Sequence, residues 1–111
     1  IGRDGEVVQL VEESDRAWHA GKSWWGGNTD INSSSIGIEL EGADDTPYAS
    51  SQYAMLARVI ATLCRAYPAL TAERVVGHSD VAPGRKSDPG IAFDWPLLRT
   101  LLQLELEVAP P

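Results

Sequence analysis

The loop at residues 77–90, with the sequence GHSDVAPGRKSDPG, carries the groups in this chain that are best suited to chemistry. His78 and Asp88 lie ten residues apart in it, and Pro83 and Gly84 between them oppose a continuous helix. If the loop folds back, the imidazole and the carboxylate converge, and such a pair is a common part of a zinc site. Two ligands are fewer than the three that catalytic zinc uses, and Ser-Asp and Asp-Pro-Gly also suit ordinary turns. The spacing alone therefore leaves a metal site and a structural loop both open.

A second candidate group lies in residues 35–42, where apolar residues alternate with polar or small ones. This alternation predicts a strand with one apolar face. Gly37 and Glu39 share the opposite face, and the glycine leaves room for a molecule to approach the carboxylate. Glu39 is therefore a candidate general base, although an edge strand with a solvated acidic face shows the same pattern.

Residues 12–35 are predicted to be mostly loop, and they contain three of the four tryptophans (Trp18, Trp24 and Trp25). Tryptophans beside glycine-rich backbone form either local core or the aromatic wall of a cleft, and both interpretations stay open. His19 follows Trp18 directly. A lone histidine in such a stretch is more often hydrogen-bonded than metal-bound.

Two predicted helices position these segments. The first begins at Ser50 or Ser51 with a serine cap and ends at Pro68. Its apolar stripe is expected to be buried and comprises Leu56, Val59, Ile60, Leu63, Cys64 and Tyr67. The second spans about 96–106, with apolar contacts from Leu97, Leu98, Leu101, Leu102 and Leu104 or Leu106. Between the helices, residues 73–76 read as a short strand or turn, and residues 107–111 as a disordered tail.

The first residues suggest that the chain begins inside a structural element. Arg3-Asp4-Gly5 predicts a hairpin turn that leads into a strand at 6–11, yet only Ile1 and Gly2 precede it. A hairpin needs a strand on both sides of its turn. We therefore expect the chain to be N-terminally incomplete.

Composition limits the classes of protein that remain. At 111 residues and 43% hydrophobic, the chain is expected to form one domain with its own core. A net charge of −7 argues against nucleic acid as a partner, because a polyanion requires a basic face. The single cysteine, Cys64, falls in the predicted core stripe and allows no internal disulfide. No apolar run approaches the roughly 18 residues of a membrane span.

Three segments in the same order closely resemble the AmpD-type N-acetylmuramoyl-L-alanine amidases: 16–21 (RAWHAG), 35–42 (SIGIELEG) and the loop 77–90. This group is related to phage lysozyme-type amidases and peptidoglycan recognition proteins, and the resemblance runs from about residue 3 to residue 100. It implies an α/β fold in which a mixed β-sheet is flanked by helices, with zinc in a cleft on the sheet. Residues 1–111 are then a single, partial amidase domain.

The resemblance also implies a role for each candidate residue. His78 and Asp88 match two of three zinc ligands, Glu39 matches the catalytic glutamate, and Lys86 matches the lysine near the scissile carbonyl. The third ligand is expected to be a histidine in an upstream segment of the same protein. The substrate-binding residues are expected to be Trp18, His19 and Arg85, with His19 lining the cleft and not binding zinc.

The implied reaction is zinc-dependent hydrolysis of the amide between N-acetylmuramic acid, or its 1,6-anhydro form, and L-alanine in peptidoglycan or muropeptides. The alternative is a non-catalytic peptidoglycan-binding module, which is expected to lack part of the set that this chain retains. A zinc peptidase of unrelated fold or a purely structural domain leaves the three motifs unexplained. The resemblance leaves three locations open: the bacterial cytoplasm, the periplasm or envelope, and a phage lysin. Segments 24–27 and 32–35 favour the envelope group.

Overall fold

The computed structural model describes residues 1–12, 35–43 and 45–107. Four helical elements lie within these ranges: α1 (Ser50–Ala66), a single 3-10 turn (Ala72–Arg74), α2 (His78–Val81) and α3 (Trp95–Glu107). The predictions for Trp18 and His19, for segments 24–27 and 32–34, and for the last four residues of the tail lie outside the described residues. No helix of the described part is both long and apolar enough to cross a membrane.

Helix α1 begins where it was predicted, but its cap differs. The residue before the first turn is Ala49, and the Gln52 side chain accepts a hydrogen bond from the Ala49 backbone N–H at 2.8 Å. The predicted serine cap is wrong, since Ser51 instead donates its hydroxyl to the Arg3 carbonyl at 2.7 Å. Ser51 therefore ties the N-terminal turn to the helix, and Gln52 takes over the capping role.

The core lies between α1 and α3. Its buried residues are Tyr53, Leu56, Ala57, Ile60 and Ala61 from α1, Leu98 and Leu102 from α3, and Phe93 from the loop before α3. Leu98 and Leu102 are one turn apart, so they present a single stripe to α1. At the far end of the helix pair, the Arg65 guanidinium donates to the Glu105 carbonyl at 2.7 Å.

Part of the predicted apolar stripe lies outside this core. Tyr67 is 40% exposed because α1 ends at Ala66, which places Tyr67 past the last helical turn. Leu97 and Leu104 are also exposed, since they lie on the side of α3 that turns away from α1. Cys64 is half-buried beside the core, as predicted for a packing thiol.

The predicted mixed β-sheet is wrong for this structure, because the described residues contain no strand. The Ile1 amine donates to the Glu39 carbonyl at 2.5 Å, and the Glu41 N–H donates to the Ile1 carbonyl at 2.9 Å. This is one step of a parallel pair. The chain turns away immediately afterwards, where the Gly5 N–H donates to the Gly2 carbonyl, so the pairing does not extend into a ladder. The predicted alternation nevertheless holds in part, since Ile38 and Leu40 pack against the core while Glu39 is exposed.

Two shorter predictions concern residues 6–11 and 73–76. Residues 6–11 form no strand, since among the described residues no backbone hydrogen bond pairs residues 7–11 with another segment, and Val8 and Leu10 are largely exposed. For residues 73–76, predicted to be a short strand or a turn, the structure has the turn, since the Arg74 N–H bonds to the Thr71 carbonyl within the 3-10 turn. That turn leads directly into Gly77 and the candidate site.

Candidate metal and catalytic site

A short helical turn, α2, starts the 77–90 loop and orients His78. The Gly77 backbone N–H donates to the Asp80 carboxylate at 2.8 Å, and this bond stabilises the first turn of α2. The Ser79 N–H then donates to the Asp88 carbonyl at 3.0 Å. This bond brings the end of the loop back beside its beginning, which is the folding back on which the predicted convergence of the histidine and the aspartate depends.

His78 and Asp88 meet at the closed end of this loop. The His78 Nδ1 atom lies 2.6 Å from the Asp88 Oδ2 atom. The two side chains are 12% and 38% exposed, so each has one side in the protein and one side open to solvent. A half-buried imidazole beside a carboxylate is a donor set that suits zinc.

Glu39 completes a cluster with this pair. A carboxylate oxygen of Glu39, a ring nitrogen of His78 and a carboxylate oxygen of Asp88 all lie within 4.8 Å of one another. The glutamate comes from the extended segment 35–43 and the other two come from the loop, so residues 39 positions apart converge on one point. Two carboxylates and one imidazole within this distance fit a divalent cation.

The other predicted site residues lie around this cluster or outside the described chain. Lys86 is half-buried two residues before Asp88, and its backbone N–H donates to the Ala82 carbonyl at 3.0 Å. Arg85 is exposed in the same loop, and its N–H bonds to the Ala82 carbonyl at 3.1 Å. The structure thus places both cations on the loop that carries the two metal-type ligands. Trp18 and His19 cannot be located relative to the cluster, because neither is described.

Two residues near the site carry no signal of chemistry in the sequence. The Gln52 side chain is fully buried, and its amide donates to the carbonyls of Ile1 (3.2 Å) and Glu41 (2.9 Å). The Tyr48 hydroxyl donates to the Pro89 carbonyl at 2.8 Å, next to Asp88. A polar residue three positions after the cap residue of a helix is the only hint for Gln52, and it points to capping and not to the site.

Comparison with known proteins decides the family. The model of the N-acetylmuramoyl-L-alanine amidase family, Amidase_2, matches residues 1–91, which include Glu39, His78 and Asp88. The chain belongs to this amidase family. The AmpD-type resemblance seen in the sequence motifs is confirmed by the AmpD relatives that follow.

Relatives of this amidase-family chain include the 1,6-anhydro-N-acetylmuramyl-L-alanine amidase AmpD of Enterobacter cloacae. It is 55% identical over 102 residues, which are 92% of this chain and 54% of the relative. A crystal structure of a selenomethionine AmpD derivative matches with a TM-score of 0.87 at 50% identity, covering 90% of this chain and 55% of that one.

A third relative was solved with a ligand. The crystal structure of AmpDh3 from Pseudomonas aeruginosa in complex with anhydromuramic pentapeptide matches with a TM-score of 0.78 at 42% identity. It covers 85% of this chain and 40% of that one. The chain thus spans about half the length of the AmpD relatives it matches, and less of AmpDh3.

Proposed function

We propose that the protein containing this chain is a zinc-dependent amidase that cleaves the bond between N-acetylmuramic acid and L-alanine. Its substrate is a muropeptide, in the 1,6-anhydro form. The observation that carries the proposal is the convergence of Glu39, His78 and Asp88 within 4.8 Å in a chain of the amidase family. The substrate is supported by the names of the AmpD relatives and by the anhydromuramic pentapeptide bound to AmpDh3.

His78 and Asp88 are the residues that hold the metal. Their donor atoms are an imidazole nitrogen and a carboxylate oxygen, and both are already turned towards each other at 2.6 Å. Zinc bound there supplies Lewis acidity, which activates water and polarises the scissile carbonyl. The backbone N–H groups of Ser79 and Gly77 make hydrogen bonds that hold the loop around the pair. The loop therefore needs little rearrangement when a metal binds.

Glu39 acts as the general base and then as the acid. Its exposed carboxylate stands within 4.8 Å of the two ligand atoms, close enough to take a proton from a water molecule at the site. The same proton then goes to the nitrogen of the departing L-alanine, which leaves as a neutral amine. A rival role for Glu39 is that of a third metal ligand, because its distance alone suits either.

Lys86 and Arg85 supply positive charge on the loop beside the pair. Lys86 stabilises the negative charge that develops on the carbonyl oxygen during attack, a contribution on the order of 3 kcal/mol in comparable sites. Arg85 is exposed in the same loop and binds the carboxylates of the peptide stem. Trp18 and His19 are proposed to line the substrate cleft.

The third protein ligand is proposed to be a histidine from an upstream segment of the same protein. The proposal follows from the family resemblance and from the assignment of Glu39 as a base, which leaves two ligands in this chain. Zinc affinity of the complete gene product, compared with that of residues 1–111 shown to be helical by circular dichroism, tests it. Equal affinities would contradict an upstream ligand.

The roles of the two glutamates on segment 35–43 provide a matched test. In the complete gene product, Glu39→Gln should keep one zinc per chain and lose about 1000-fold in kcat, on the scale of a missing general base. Glu41→Gln, two residues away, removes a carboxylate that accepts a bond from the Arg3 N–H and should leave kcat within about 3-fold of wild type. Loss of zinc in Glu39→Gln would assign Glu39 as a ligand. Full activity in that variant would refute its catalytic role.

A further inference from the structure

Tyr48 joins the two segments that carry the proposed catalytic and metal-binding groups. It lies in the stretch between Glu39 and α1, and its hydroxyl donates to the Pro89 carbonyl at 2.8 Å. Pro89 follows Asp88 directly, so this bond holds the backbone next to a proposed ligand. This contact, between residues 41 positions apart, holds the loop at a fixed distance from the segment that precedes α1.

The ring of Tyr48 is held in place independently of its hydroxyl. It packs edge-on against Phe93, with centroids 5.7 Å apart, and against Tyr53, with centroids 6.5 Å apart. The backbone of Gly42 also lies close to the ring, since an added Cβ atom there would come within 2.9 Å of it. The ring therefore contacts both the core and the segment that carries Glu39.

We propose that Tyr48 is a positioning residue that fixes the position of Asp88 relative to Glu39. The proposal rests on the function proposed above. One edge of the ring abuts the Glu39 segment at Gly42, and the hydroxyl bonds to the residue after Asp88. A shift of either segment must therefore move the tyrosine or break its hydrogen bond. In this role Tyr48 acts through the two segments that it contacts and not directly on the substrate.

The test removes the hydroxyl and keeps the ring, in the complete gene product. Tyr48→Phe should raise the Kd for zinc about 3- to 10-fold, below the 10- to 100-fold typical when a direct partner of a ligand is lost. Competition with a chelator gives the Kd. The visible absorption of the cobalt-substituted protein reports the ligand geometry and should change with it.

Tyr53→Phe is the matched control. Its hydroxyl also makes a 2.8 Å bond, accepting from the Asp94 N–H, but at the start of α3 and away from the loop. The control should keep the wild-type zinc Kd and cobalt spectrum while losing a similar amount of thermal stability. If both variants weaken zinc equally, or if Tyr48→Phe matches wild type in both readouts, the positioning role is refuted.

A second variant acts on the ring of Tyr48 and not on its hydroxyl. Gly42→Ala brings a methyl group against the ring and also strains the backbone, whose φ of +158° favours glycine, so it should also raise the zinc Kd. In the double variant with Tyr48→Phe, the combined effect should be smaller than the product of the single effects, because the part of each effect that passes through the Tyr48 hydrogen bond is lost only once. Multiplicative effects would overturn the coupling. A wild-type protein that binds no zinc would refute the proposed function itself, and the role of Tyr48 with it, whereas an unchanged Tyr48→Phe would refute only the latter.

Discussion

Replacing Gln52 with methionine should destabilise the protein by about 3 kcal/mol, because the side chain makes three hydrogen bonds without exposure to water. Its carbonyl oxygen accepts from the Ala49 N–H at 2.8 Å, and its amide donates to the Glu41 and Ile1 carbonyls at 2.9 and 3.2 Å. Gln52 is fully buried. Methionine has nearly the same length and shape, so the packing is largely kept and the polar partners lose their bonds.

The magnitude follows from the number of bonds. A typical intramolecular hydrogen bond contributes about 1 kcal/mol net, and buried partners left unpaired push the loss towards the upper end of the range. The longest bond, to Ile1, contributes least. Because the Glu41 carbonyl lies two residues from Glu39, the same change should also loosen the segment that presents the proposed base, and kcat/KM should fall with the stability.

Urea unfolding of the complete gene product measures the loss, with Gln103→Met as the control. Gln103 is exposed on α3, where its amide donates to Glu107 at 3.1 Å, and its replacement should cost no more than about 0.5 kcal/mol. The slope of free energy against urea must stay unchanged for the comparison to hold. Losses that agree within about 0.5 kcal/mol for the two variants would refute the reasoning, because burial and bond number would then not matter.

Two further predictions concern the loop and the cysteine. Gly77→Ala should destabilise the protein by about 1–3 kcal/mol and should also weaken zinc binding. The reason is that the alanine Cβ atom would lie 2.6 Å from the Pro89 ring, so the segment that carries Asp88 must move. An unchanged zinc Kd would contradict this. Burial raises the pKa of the Cys64 thiol above its usual range. The protonated thiol should therefore react with a disulfide reagent at pH 8 at least about 10-fold more slowly than in urea-unfolded protein, and an equal rate would contradict its place beside the core.

The sequence predicted the helices and the site better than the extended segments. Apolar spacing is a local signal, so it located α1 and α3 within about two residues at each end, as expected for helix boundaries. The convergence of His78 and Asp88 followed from one loop with turn residues in it. Glu39 was found because alternation placed it opposite the apolar face, and Ile38 and Leu40 do face the core.

The absence of a sheet from the described residues could not be predicted in the same way, because a strand is defined by its partner and not by its own pattern. Residues 35–42 have the alternation of a strand, yet among the described residues only the single step at Ile1 pairs with them. Gln52 and Tyr48 were missed for a related reason. Their roles depend on carbonyl groups that lie far away in the sequence, at Ile1, Glu41 and Pro89, and no local motif encodes such contacts.

The most direct test is to incubate the complete gene product with a 1,6-anhydro-N-acetylmuramyl peptide and identify the products by mass spectrometry. We expect two products, an anhydromuramic acid with a free lactyl carboxylate and a peptide with a free L-alanine amine. Removal of metal by a chelator should abolish their formation, and stoichiometric Zn²⁺ should restore it. A peptide that is bound but left intact by the zinc-loaded protein would contradict the amidase and favour a muropeptide-binding module.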